Sequence, residues 1–258
     1  MVQKHLNLKK SLSPAMRACL DKAEVVANWL GVNLYLVGGT VRDVKLGRSA
    51  DQIKDLDLAV EGDAMAFARA ISKDTGIPVK STHPLFGTAV LEDPKGMRVD
   101  VATVRTESYD KPGALPRVSF GCMESDLYRR DFTINAMAVG LSPAGQWFDP
   151  LNGAGDLRQG LIRVLHEKSF EDDATRLLRA VRYEQRLGFS LEPRTLALFH
   201  KAVRGGLLKT ISKFRLQNEL RLIKGEAKEK SIVKRLRELG VWGNLVDLKV
   251  IETEEGRH

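Results

Sequence analysis

NLYLVGGTVRD (33–43) and DLDLAV (55–60) decide how this chain is read. The first starts as a short buried strand, Asn33 to Val37, meets two glycines, and continues as a helix from Thr40 to Leu46. Two glycines at such a junction let a phosphate approach the backbone. The helix start behind them offers unpaired N–H groups and a partial positive charge, and Arg42 adds a charge-assisted contact. Taken alone, a Gly-Gly turn is equally well a tight strand-to-helix connection. The second stretch alternates as a strand, so Asp55 and Asp57 share a face. Two like charges so placed repel unless a cation sits between them. Mg²⁺ suits the pair, because it takes oxygen ligands and keeps phosphates and water in its other positions. A solvated strand face is the plain alternative; finding the carboxylate pair just after GG-x-x-RD makes chance a weaker explanation.

Outward from this centre, Leu12 to Leu30 reads as an amphipathic helix, with Ser13 as N-cap, Pro14 at its first position and Gly31 closing it. Asp63 to Lys73 reads as a second helix. Phe86 to Leu91 and Met97 to Val104 read as strands joined by a turn at Asp93-Pro94-Lys95-Gly96. Thr106 to Gly121 has two prolines, two glycines and no sustained period, and is expected to be a functional or mobile loop. Asp131 to Val139 is expected to be helical; Gln146 to Phe148 and Leu161 to Val164 are short strands. Beyond Ser169 the chain shows only helical pattern, in four segments near 169–187, 192–203, 212–224 and 228–239. The expected division is thus a catalytic α/β part, 1–165, and a helical part, 166–258, with the boundary near Arg163 to Lys168.

Composition bounds the function. The chain has 258 residues and a net charge of +8. Between Asp156 and Gly240 stand 20 lysines and arginines against 11 acids, so this segment accounts for the surplus. A polyanion partner and a solvated basic helical surface both explain it. Glu252 to Glu255 is an acidic patch. No apolar run approaches the roughly 20 residues of a membrane helix, and the basic N-terminus lacks the apolar core of a secretory signal. With only Cys19 and Cys122, and no Cys/His cluster, neither a zinc site nor a disulfide framework is expected. A cytoplasmic location follows as the expectation. None of the five histidines falls in a motif; His83 and His166 read as structural or surface residues.

Two further stretches extend the pattern: YRRDFTINAMAV (128–139) and SFEDDATRLLRAVRYEQRLGF (169–189). With GGTVRD and DLDLAV ahead of them, in this order, the chain resembles the class II tRNA nucleotidyltransferases and bacterial poly(A) polymerases, within the DNA polymerase β-type superfamily. The resemblance covers about residues 33–240. It implies an α+β fold: a nucleotidyltransferase head with a mixed β-sheet flanked by helices, then an all-helical neck and body. It implies template-independent transfer of CMP and/or AMP from CTP and ATP to a tRNA 3′ end. Two Mg²⁺ would be held by Asp55 and Asp57, and the triphosphate by Gly38, Gly39 and Arg42. Arg130, Asp131 and Asn135 match positions that grip the ribose. Asp173 and Arg176 match the pair that reads the base, with Arg179 and Arg182 following at helical spacing. Asp172 stands where the family motif has Glu. Asp100, in RVDVATVRTE, is either a third carboxylate of the site or structural support. The family runs on past the matched neck with body and tail domains, so the chain is either a truncated piece or a minimal form, and a homodimer would let it reach the tRNA elbow. The 106–121 segment is full length, which favours competence to add the terminal A. DDATR also occurs among enzymes that divide CC and A addition. Poly(A) polymerase activity, or a catalytically dead RNA-binding homologue, are the alternatives.

Overall fold

The computed structural model describes residues 8–251. The basic N-terminal heptad and Glu252 to Glu255 lie outside the described residues. The chain forms two compact units. One takes the chain up to Glu107 together with Val118–Leu157; the other takes Ser108–Arg117 together with the chain from Arg158.

In chain order the first unit contains α1 (Pro14–Leu30), β1 (Asn33–Val37), α2 (Gly38–Lys45), β2 (Asp55–Glu61), α3 (Ala64–Thr75), β3 (Val79–His83), β4 (Thr88–Glu92) and β5 (Arg98–Thr103). The hairpin strands β6 (Arg105–Ser108) and β7 (Arg117–Phe120), α4 (Met123–Tyr128), β8 (Ala138–Ser142), β9 (Ala144–Phe148) and α5 (Gly153–Gln159) follow. Seven strands make one sheet in the order β3-β4-β5-β2-β1-β8-β9. Every neighbouring pair is antiparallel except β2 and β5. That parallel pair sets Asp57 opposite Asp100 and Asp55 opposite Arg98. Alternation along β2 sends Leu56, Leu58 and Val60 to one face, all fully buried, and Asp55 and Asp57 to the other.

The helices begin and end where their sequences say. Ser13 accepts from the Met16 amide to cap α1, and Gly31 closes it in the left-handed region. Asp63 caps α3 by accepting from the Met65 and Ala66 amides. Phe67 and Ile71, on one stripe of α3, are fully buried, and α1 and α3 pack on each other beside the sheet.

Two expectations need correction here, and one strand was not anticipated. Asp131 to Val139 is not a helix: only Thr133–Asn135 makes a short 3₁₀ turn, and Ala138–Ser142 is a strand paired with β1. Every residue from Asp131 to Leu141 is buried, so the run has no polar face for periodicity to reveal. Thr106 to Gly121 is not wholly a loop, since its ends pair as β6 and β7. The edge strand β3 escaped the sequence reading because VKSTH is short and polar.

The second unit is built of α6 (Ser169–Asp172), α7 (Thr175–Leu187), α8 (Pro193–Arg204), α9 (Lys213–Lys224), α10 (Glu229–Glu238) and α11 (Val241–Asp247). A two-residue parallel bridge joins β10 (Leu161–Ile162), within the short strand expected at Leu161 to Val164, and β11 (Ser190–Leu191), which interrupts the helical pattern expected beyond Ser169. The expected first long helix is broken at Asp173, which is extended. Phe170 meets Phe199 edge to face with centroids 5.7 Å apart, and Leu216, Ile232, Leu236 and Leu245 close the core.

Phe67→Ala is expected to lower the unfolding free energy of the first unit by about 3–5 kcal/mol, as a large buried side chain leaves a cavity. Urea denaturation measures it. A loss under about 1 kcal/mol would mean α3 does not anchor this core.

Candidate active site

The site grows from the turn between β1 and α2. Gly38 has φ of +63°, and a Cβ there would come within 2.9 Å of the Arg130 guanidinium. A Cβ on Gly39 would lie 3.1 Å from Asp57 Oδ2. The left-handed backbone at Gly38 favours glycine, and a side chain at Gly39 would crowd the Asp57 carboxylate. The Thr40 amide donates to Asp57 Oδ2 at 3.2 Å. The Thr40 hydroxyl donates to the Asp55 carbonyl at 3.1 Å and accepts from the Asp57 amide at 2.9 Å. Strand β2 and the start of α2 are thereby clasped, with a carboxylate at the positive end of the helix.

Asp55 is exposed; Asp57 and Asp100 are half-buried. Burial pushes the Asp57 carboxyl above the usual carboxylate range, and Asp100 and Asp55 push it further, against the Thr40 amide and Arg130. A cation would relieve this repulsion. Among the described residues no group of three His, Cys, Asp or Glu side chains converges as a cage. Asp100 faces its strand partner Asp57, yet both its oxygens accept from Arg98 at 2.7 Å.

Behind the turn runs a buried chain of polar contacts. Arg42, 3% exposed, donates to both oxygens of Asp43 at 3.0 and 2.9 Å and to Asn135 Oδ1 at 2.6 Å. Asn135 Nδ2 donates to Asp131 Oδ1 at 3.0 Å, which also accepts from the Phe132 amide. Arg42, Asn135 and Asp131 are thus brought together, as one network. Arg130 reaches the same turn from α4's C-terminal side, held by Asp126. Sequence reading missed Asp126, although its spacing of three and four residues from two arginines was visible.

In the second unit, Asp173 Oδ1 accepts from the Thr175 amide and hydroxyl at 2.9 and 2.6 Å and pairs with Arg215 at 2.9 Å. Arg176, 5% exposed, donates to the Ser169 hydroxyl at 2.6 Å. Arg179 and Arg182 turn instead to Glu219, at 3.4 and 3.7 Å, and flank the Tyr183 ring. Arg182 Nε and Glu219 Oε2 are buried without a hydrogen-bond partner among the described residues. Arg215 and Glu219, one turn apart on α9, were not found from sequence, since nothing local marks their partners. Burial raises the Asp172 carboxyl, and His166 lies 3.6 Å from it.

The sheet order, the clasped Gly-Gly turn and the two carboxylates on one strand face define a nucleotidyltransferase-type head. Residues 34–163 match the model of the poly A polymerase head domain. The chain is 43% identical to the A-adding tRNA nucleotidyltransferase of Halalkalibacterium halodurans, over 89% of this chain and 54% of that protein. It is 45% identical to the A-adding tRNA nucleotidyltransferase of Geobacter sulfurreducens, over 84% of this chain and 24% of that one. The Thermotoga maritima CCA-adding enzyme complexed with tRNA superposes with a TM-score of 0.77 at 36% identity, covering 95% of this chain and 55% of that one. The chain belongs to the poly(A) polymerase and tRNA nucleotidyltransferase family. It spans about half the length of the first of these relatives and about a quarter of the second. Nucleotidyltransferases of this family are generally dependent on a divalent metal. No helix among the described residues is long and apolar enough to cross a membrane.

The raised Asp57 carboxyl carries a pH consequence. Its folded form holds the proton more tightly than the unfolded chain, so stability falls as pH rises from the ordinary carboxylate value through the raised one. Above that window the ionised group destabilises the metal-free fold. Asp57→Asn should therefore raise the thermal midpoint in EDTA at about pH 8 and remove the stabilisation that added Mg²⁺ gives the parent. A lowered midpoint, or an undiminished Mg²⁺ effect, would contradict this account.

Proposed function

We propose that this chain supplies the catalytic and base-reading parts of a tRNA nucleotidyltransferase that transfers AMP from ATP to a tRNA 3′ end, completing CCA. The observation that carries the reading is the pair Asp55 and Asp57 on one face of β2, with Asp57 braced against the start of α2 beside Gly38 and Gly39. The choice of AMP is supported by the A-adding names of the two relatives above. The tRNA substrate is supported by their names and by the T. maritima complex.

In the reaction the tRNA 3′-oxygen bonds to the α-phosphorus, the bond from that phosphorus to the bridging β-oxygen breaks, and pyrophosphate leaves with the electron pair. The hydroxyl proton passes to solvent or a nearby base. Such transfer needs placement and charge neutralisation more than covalent help. Mg²⁺, when held by Asp55 and Asp57, would neutralise charge on the attacking and leaving oxygens. Arg130 lies against Gly38, where a triphosphate approaching the turn would meet it. Arg42 is engaged with Asn135 and Asp43 and acts by holding the ribose-side network of Asn135 and Asp131 in place. In the helical unit, Asp173 and Arg176 together present an acceptor and donors, the pattern that a base edge with one donor and one acceptor requires. Arg215 holds the first in this geometry and Ser169 the second. The surplus of basic residues between Asp156 and Gly240 suits RNA phosphates. A homodimer remains part of the proposal only as a means of reaching the body of the tRNA.

Incubating the chain with tRNAs that end before CCA, after C or after CC, with each nucleoside triphosphate, is the direct test. One AMP on the CC-ended tRNA is expected, and none after Asp55→Ala or Asp57→Ala. Addition of CMP would make it a CC- or CCA-adding enzyme, long adenylate tails a poly(A) polymerase, and no addition by the parent would remove the reading.

Asp173→Ala and Arg176→Ala should relax base choice by roughly 5- to 150-fold, the worth of one unpaired buried group. Unchanged preference among the four triphosphates would place base reading elsewhere. Affinity for tRNA should fall steeply between about 50 and 200 mM salt; a flat titration would mean the basic helices do not hold the RNA by its phosphates.

A further inference from the structure

We infer that Asp126 is the positioning residue that aims Arg130 at the bound nucleotide. The inference rests on the proposed function for what Arg130 touches, and goes beyond it in assigning the residue that sets it.

Asp126 is fully buried on α4. Its Oδ2 accepts from Arg130 Nη2 at 2.9 Å and from Nε at 3.2 Å. Its Oδ1 accepts from Arg129 Nη2 at 2.6 Å, from Arg129 Nε at 2.9 Å and from the Arg105 amide at 3.2 Å. The three partners differ in what they do next. Arg129 continues to Glu107, which also accepts from Arg105, so it stays within the root of the β6 strand. Arg130 instead extends its Nη1 toward the Asn135 carbonyl, at 3.4 Å, and to within 2.9 Å of where a Gly38 Cβ would sit. Arg130 is thus fixed along its inner edge and presents its outer nitrogen to the Gly-Gly turn, close enough to the Asp57 carboxylate to favour its charged form.

A guanidinium on a flexible stem loses rotamer entropy whenever it grips a ligand. Asp126 removes that loss in advance. A buried carboxylate with all its lone-pair directions taken has one low-energy arrangement, and the fork of Arg130 inherits it. Burial raises the Asp126 carboxyl, and Arg130 and Arg129 more than offset that, holding it below the usual range.

The test uses the full chain with Mg²⁺ and a non-hydrolysable ATP analogue, reading Kd directly so that no turnover is required. Asp126→Asn should weaken the analogue by roughly 10- to 150-fold, the range for a charge-assisted contact to phosphate. It should add nothing further in an Arg130→Gln background, because it acts through Arg130. Arg129→Gln, which frees the other carboxylate oxygen, Oδ1, but leaves Arg130 in place on Oδ2, should keep Kd within about threefold. If Asp126→Asn does not give a cooperative thermal transition, Asp126→Glu replaces it. That variant keeps the charge but displaces it by one methylene, and should weaken Kd with a near-parental midpoint. An unchanged Kd in a folded Asp126 variant, or full additivity with Arg130→Gln, overturns the inference. If Arg130→Gln binds the analogue as the parent does, the assignment of Arg130 to the nucleotide falls instead.

Discussion

The hydrogen bond from the Thr40 amide to Asp57 Oδ2 is the constraint around which the first unit is arranged. It joins the middle of the sheet to the first turn of α2, and the absence of a Cβ at Gly39 leaves the Asp57 carboxylate uncrowded there. With Thr40 also bonded to both β2 backbone positions, the turn cannot shift without pulling the carboxylates with it. The parallel pairing of β2 with β5 then adds Asp100 on the same face. Asp57 then has two further carboxylates, Asp100 and Asp55, opposing its ionisation. The fold tolerates them through Arg98, which takes both oxygens of Asp100, and through the helix start, which takes one of Asp57. Asp55 is left facing solvent. The arrangement stores repulsion at the point where a cation would be welcome.

The motifs that name the family were legible because their signals are local. A strand, two glycines and a helix start lie within eleven residues, and the carboxylates share a face by alternation alone. Helix ends at Ser13, Gly31 and Asp63 were legible for the same reason. What was not legible depended on partners distant in sequence. TINAMAV carries no polar face because it is covered on all sides, so a strand and a helix look alike there. Arg215 and Glu219 look like any basic amphipathic helix until Asp173 and the α7 arginines are seen against them. The role of Arg42 changed in the same way: from sequence it faces a phosphate, and in the fold it is buried and holds Asn135.

Charge is buried in two ways. In the first, acids and bases are locked in closed sets, such as Asp126 with Arg129 and Arg130, where nearly every oxygen is taken. Such sets favour a single geometry. In the second, Arg182 and Glu219 retain buried atoms without hydrogen-bond partners among the described residues. Incomplete pairing is costly in a static core, and more easily tolerated where a set of side chains has to accept a visiting polar edge.

One consequence of the discontinuous second unit concerns synthesis. Ser108–Arg117 belongs to it, although the rest of that unit starts at Arg158. The Gly113 amide donates to the Glu171 carbonyl at 3.1 Å, and Arg215 donates back to the Gly113 carbonyl at 3.3 Å. As the chain leaves the ribosome, this segment emerges well before either partner exists. The seven-stranded sheet can close while the segment is still undocked, and only translation through α9 supplies the residue that completes its seat. The order of emergence therefore makes the sheet an early cotranslational product and the docking of this excursion a late one.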